Sequence, residues 1–182
     1  MISNDDPERV ISFWIQLDEN AQYGGGGEID SRIEDEFSGL LGEAVQGQLD
    51  RWADTPRGAL ALVIILDQFS RNIHRGTLLM YAGDEKALAI ANAALEKRFD
   101  QQVVAIERLW FYMPYMHSER LNDQERCIQL LTKAGFSRNL PYALEHRDLI
   151  ARFGRFPHRN SILGRESTHE EKSYLATRAV PA

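Results

Sequence analysis

Ala59 to Leu66 runs eight residues without a polar side chain, and Asp67, Gln68, Ser70, Arg71, Asn72, His74 and Arg75 follow at once. A helix that is apolar all round has to be enclosed by protein, so this stretch sets the centre of whatever the chain folds into. The β-branched Val63, Ile64 and Ile65 allow a strand instead. Start signal and length decide for a helix. Asp54 and Thr55 suit a cap, Pro56 suits the first helical position, and the pattern continues to Phe69. Helical spacing sets Asp67 and Arg71 one turn apart, placed to pair, with Gln68 on the side of Ile64 and Asn72. A carboxylate at the end of a buried helix is costly unless it is ion-paired, hydrogen-bonded or protonated. The simplest reading of Asp67 alone is a polar cluster that locks helices together.

The rest of the chain reads as further helices. Asp5, Asp6 and Pro7 start one with Val10, Phe13, Trp14 and Leu17 on its apolar face. Tyr23 to Gly27 holds four consecutive glycines. It lacks the GxxxxGK[ST] spacing of a phosphate loop and reads as a linker within a flexible stretch, 18–29. Asp30 opens a helix carrying Ile33, Phe37, Leu40, Leu41 and Ala44, with Trp52 packed where it turns into the central one. Asp84 caps a helix with Leu88, Ala91 and Leu95. Another, around Ala105 to Met113, is interrupted by Pro114 and followed by an irregular Tyr115–Glu119. Asn122 and Glu125 form a capping box, and the helix they open ends at Gly135. Pro141 opens the next. Gly154 to Arg165 is too rich in Gly, Pro and Asn to be regular. Ser167 or Thr168, with Glu170 or Glu171 three residues on, caps a last helix before a frayed tail, 176–182. The expectation is an all-α fold of about eight antiparallel helices in a single domain, 1–182, with no strand pair.

Charge and cysteine usage narrow the function classes. The net charge of −6 hides thirteen acids against three arginines in residues 1–56, and six arginines against Glu145 and Asp148 in residues 138–165. An acidic chain of this kind does not suit general nucleic-acid binding. The single cysteine, Cys127, excludes an internal disulfide and a cysteine-based zinc site. The acidic start lacks the basic-then-apolar pattern of a signal peptide, and no apolar run approaches the roughly 20 residues of a membrane span. A cytoplasmic location with no membrane partner is expected.

Arg152-Phe-Gly-Arg-Phe-Pro-His-Arg-Asn-Ser-Ile-Leu-Gly-Arg165 is the second informative stretch. Four arginines and His158 alternate with Phe153, Phe156, Ile162 and Leu163, and Pro157 stiffens the centre. Guanidinium forks suit carboxylates or phosphates. These arginines either answer internal acids such as Asp67 and Glu119 or hold an anionic ligand. The additional cations of Arg71 and Arg75 tip the reading toward a ligand.

Leu66-Asp-Gln-Phe-Ser-Arg-Asn-Ile-His-Arg-Gly76, Met113-Pro-Tyr-Met-His-Ser-Glu119 and Arg152 to Thr168 resemble the three signature segments of the family catalogued as domain of unknown function 924. The resemblance runs from about Phe13 to Tyr174. It departs from the family around Tyr23 and the glycine run, where members often carry a Trp-Phe pair. The family is placed among tetratricopeptide-like, all-helical folds, so the resemblance implies a bacterial helical array and no reaction.

The expected site joins the Asp67–Arg75 turn, the His117–Glu119 break and the Arg152–Arg165 loop. Arg71, Arg75, Arg155 and Arg159 would contact an anionic small molecule or a peptide carboxylate. Asp67 and Glu119 would orient them, and Asn72 and Asn160 would hydrogen-bond neutral parts. Two alternatives stand beside this. One is hydrolase-type acid–base chemistry, with Asp67 or Glu119 as base and His117 or His158 as acid. The other is a protein-interaction scaffold whose polar cluster is purely structural. A metal site from His117, Glu119, His146 and Asp67 has no HExxH-like spacing behind it, and no motif calls for a cofactor.

Overall fold

The computed structural model describes residues 6–24 and 26–177. The described residues are helical or irregular, with no strand, and the fold is all-α. They fall into two compact units, Met1–Pro114 and Tyr115–Ala182.

In the first unit, α1 (Pro7–Gln16) is capped by Asp6, whose carboxylate accepts from the Glu8 N–H at 2.9 Å. Asp5 lies outside the described residues. The stretch expected to be flexible, 18–29, carries a short helix, α2 (Glu19–Tyr23), capped by Asp18. Helix α3 (Gly27–Val45) begins three residues before Asp30 and buries Ile33, Phe37, Leu40, Leu41 and Ala44, the face that periodicity selects. Helix α4 (Pro56–Val63) starts at the proline, with Thr55 capping Gly58. Every residue from Gly58 to Ser70 is buried. Helices α1 and α6 (Asp84–Glu96) and the turn around Trp52 pack on α4, supplying the enclosure that an all-apolar helix demands. Each fully buried Leu, Ile or Phe in this run contributes about 1.5–3 kcal/mol.

Ile64–Phe69 departs from the expected α-helix. It is a π-helical stretch, and the Ser70 N–H reaches the Ile65 carbonyl five residues back. Backbone angles stay right-handed on both sides, and α5 (Ser70–Ile73) continues the same rod. Gly83, just ahead of α6, backs directly onto this stretch. A Cβ there would sit 2.3 Å from the Leu66 carbonyl oxygen. Phe69 joins Phe37 at 4.7 Å between ring centroids, and Trp14 meets Trp110 at 5.1 Å, so aromatic side chains fill the space beside the central rod.

Helix α7 (Ala105–His117) runs through Pro114, which the sequence reading takes as its end. Burial overrides local preference here: Met113, Tyr115 and Met116 are all inside. Only Ser118 and Glu119 remain of the irregular segment expected after the proline.

The second unit is a hairpin of α8 (Leu121–Ala134) and α9 (Leu140–Phe153), followed by an irregular loop and α10 (His169–Thr177). Gly135, at φ 81°, ends α8 in the left-handed conformation that favours glycine. The Asn122–Glu125 box does not form. The start of α8 is secured by Asp123, which accepts from the Ser118 hydroxyl at 2.6 Å and from Arg120 at 2.7 Å. The expected tail beyond Thr177 lies outside the described residues.

Two glycine substitutions test this packing. Gly83→Ala forces backbone apart and should cost about 1–3 kcal/mol in chemical denaturation. Gly42→Ala, in α3 with nothing within 4 Å of the added carbon, should raise stability by about 0.5–1 kcal/mol.

Candidate functional site

The π-helical stretch positions Asp67 with no exposed surface. Its carboxylate accepts from the Gln68 side-chain amide at 2.5 Å, and Arg71 Nη1 stands 3.0 Å away. The i,i+4 pair expected from the sequence is therefore present. Arg71 does more than answer Asp67. Its fork donates to both oxygens of Asp84 at 2.8 and 3.0 Å, and to the Asp67 carbonyl at 2.6 Å. Burial works against the Arg71 cation, but Asp67 and Asp84 outweigh it and hold its pKa above the ordinary value. Asp84, which the sequence reading uses as a helix cap, is thus a bridging anion; Gly83 takes the cap position.

One turn further, Asn72 and Arg75 share a second acid. Asp30 accepts from the Asn72 amide at 2.7 Å and from the Arg75 fork at 2.7 and 3.1 Å. Burial raises the Asp30 pKa, and the hydrogen bonds from Arg75, Asn72 and the Gly26 backbone more than reverse this. A third ion pair holds the base of the central rod: Arg57 bridges Glu8 and the buried Glu107.

The second unit has its own network. Glu119 accepts from the Phe156 N–H at 2.8 Å and from the Arg165 fork at 2.7 and 3.0 Å. Burial pushes the Glu119 pKa up, while Arg165, the Phe156 amide and the Arg159 charge bring it below the ordinary range. Arg159 is buried, donates to the His117 carbonyl at 3.0 Å and lies 4.5 Å over the Phe156 ring. Arg165 also donates to the Asn160 side-chain oxygen, and Asn160 donates to Ser167. Arg155 grips Glu171 with two hydrogen bonds of 2.7 and 2.8 Å, and reaches the Glu166 carbonyl. Glu171 closes a capping box with Thr168, accepting from its N–H at 2.7 Å. Through Arg155 chiefly, its pKa falls to about 2 despite burial.

Of the residues singled out in the sequence, Asp67, Arg71, Asn72 and Arg75 lie in the first unit. His117, Glu119, Arg155, His158, Arg159 and Asn160 lie in the second. Each arginine among them is engaged by groups of its own unit. The His158 ring leans on Phe156 with centroids 5.5 Å apart, and His146 Nδ1 lies 3.3 Å from the Met116 carbonyl oxygen. Among the described residues, no group of three or more His, Cys, Asp or Glu side chains is placed to hold a metal ion. Sequence reasoning missed Asp30, Asp84 and Glu171 as partners. Glu171 had a signal, its place in a capping box; Asp30 and Asp84 are 45 and 13 residues from the arginines they bind, and no local pattern marks them. An open depression of about 460 Å³ between α1, α2 and α3 involves none of the predicted residues. Its lining includes Gln16, Asp18, Glu28 and Arg32.

The family model described as "Bacterial protein of unknown function" matches residues 10–179. The chain belongs to this family, DUF924. It is also similar to the solved structure of a protein of unknown function from Agrobacterium tumefaciens. The two share 38% identity over 93% of this chain and 96% of that one, with a TM-score of 0.88. No curated protein matches the chain. No helix among the described residues is long and apolar enough to cross a membrane.

The burial of each pair orders its cost of removal. Arg71→Ala strands the enclosed Asp67 carboxylate and should lower unfolding free energy by about 3–5 kcal/mol. Arg75→Ala breaks a pair whose arginine is 46% exposed, and should cost about 0.2–1 kcal/mol. Urea titration of both variants measures the order.

The lowered carboxylates also set the acid limit. A folded-state pKa below the unfolded value means that the unfolded chain takes up protons first. The contribution of Glu171 is therefore complete above its ordinary 4.5 and is lost as pH falls toward about 2. The melting temperature should drop across that window, and Glu171→Gln should flatten part of the drop.

Proposed function

We propose that this DUF924 protein is a helical protein-interaction module whose arginine clusters hold its own elements in place. The observation that carries this reading is the engagement of the arginines. Arg71, Arg75 and Arg155 each hold a carboxylate of the chain with both arms of the fork. A free phosphate or carboxylate metabolite would have to displace an acid tethered beside the arginine, whose effective concentration is on the order of millimolar or higher. The tetratricopeptide-like classification implied by the family resemblance fits this reading. Cys127 is buried and its thiol pushed up to about 12 by that burial, so it is an unreactive core group and offers no competing thiol chemistry.

The exposure of Arg75 favours a second reading, in which it and its neighbours receive an anionic small molecule. Thermal denaturation with millimolar inorganic phosphate or citrate separates the two. An interaction module keeps its melting temperature in both. A rise that vanishes in a folded Arg75→Ala or Arg155→Ala variant overturns the module reading in favour of an anion receptor.

A further inference from the structure

The last helix is attached in an unusual way. Of the nine residues of α10, the buried one is Glu171, a carboxylate. Helix α8, by contrast, buries Cys127, Leu130 and Leu131. Apolar attachment of α10 rests on Tyr174, which packs on Phe153 at 5.3 Å and against the cluster of Leu149, Ile150 and Phe156. Two ion pairs add to it, as do hydrogen bonds to the residues just ahead of the helix, from Arg155 to the Glu166 carbonyl and from Asn160 to Ser167. Arg155–Glu171 is half-buried, and Arg152–Glu170 has both side chains more than half exposed. Burying a carboxylate costs much of what its pairing returns, and an exposed pair adds little. A helix held so should open at a free energy well below that of the whole unit. Ahead of it, Arg165 is fixed by Glu119 and Asn160, whereas the non-helical residues 166–168 are held to the rest of the unit by the single hydrogen bonds to the Glu166 carbonyl and Ser167, so the helix would swing from Arg165.

We propose that α10 is a releasable strap covering a docking groove for a partner's acidic helix. This rests on the interaction-module reading and names the partner's chemistry. The groove is the face that α10 leaves behind. Its floor is Leu149, Ile150 and Phe156, with Phe153 at the edge, and its cations are Arg152 and Arg155. Such a surface takes two adjacent glutamates followed by an aromatic three residues after the second, the pattern Glu170-Glu171-x-x-Tyr174 that fills it now. A small anion reproduces only the charge. A partner helix reproduces charge and aromatic together, and takes the groove by the helix-in-groove mode when the strap has opened.

The test uses the full-length chain and a fluorescent peptide with the sequence of residues 166–177. In the wild type, native-state hydrogen exchange should show the α10 amides opening while α8 and α9 stay protected. Amides of α10 that exchange only with the whole unit overturn the proposal, whether or not any variant folds. In the Glu170→Gln/Glu171→Gln variant the strap is loosened, and the peptide should bind about tenfold more tightly than to the wild type, by fluorescence anisotropy. Adding Arg155→Ala should abolish that gain. Equal binding to both chains, or none to a variant whose α10 amides exchange freely, overturns the groove. A variant that dimerises on size exclusion and excludes the peptide overturns the external partner in favour of a second copy's α10. The phosphate and citrate melts decide the module reading separately, so either idea can fail alone.

Discussion

A carboxylate with no exposed surface, Asp67, sits at the end of the most apolar segment of the chain. The first unit is arranged to make that tolerable. Arg71 reaches it from one turn away, and Asp84, at the start of α6, shares the same guanidinium. An isolated buried charge costs several kcal/mol, so the positions of α5 and α6 are tied to this group. The close seat of Gly83 on the Leu66 carbonyl belongs to the same arrangement: any larger residue would lift Asp84 away from Arg71.

The same logic recurs at smaller scale. Asp30 links the beginning of α3 to the end of α5 through Asn72 and Arg75. In the second unit, Glu119 fixes the loop after α9 by accepting both the Phe156 amide and the Arg165 fork. Segments with little regular structure are thus held by acids in specific places, and a guanidinium with a fixed fork geometry is the natural counterpart. The arginine-rich composition of the loop is consistent with this internal use.

Local chemistry made much of the fold readable. Pro56 and Thr55 mark the start of the central rod, Asp6 caps α1, the 3.6 period selects the buried face of α3, and the Asp67–Arg71 spacing pairs as expected. Features that depend on distant residues were not readable. Nothing in the residues around 30 or 84 says which arginine they meet. Pro114 argues locally for a helix end, and the burial of its neighbours reverses that. A π turn has no compositional signature, because Ile, Leu and Phe are equally at home in an α turn. For the site, the residue types and even several pairings were legible, but whether the forks were filled depended on long-range partners.

The π-helical stretch has a consequence for how this chain tolerates insertion and deletion. A wider turn accommodates extra backbone, so removal of one residue between Ile64 and Phe69 would let the ladder close into ordinary α geometry. The rod would stay continuous, and the segment after the excision would keep nearly its present setting around the axis, because a π turn takes up its extra residue within one wider turn. Ser70, Arg71, Asn72 and Arg75 would still face Leu79, Asp84 and Asp30. The surplus residue is absorbed locally, so a chain shortened there could keep the polar contacts beyond the turn and would have to repack only the apolar side chains within it.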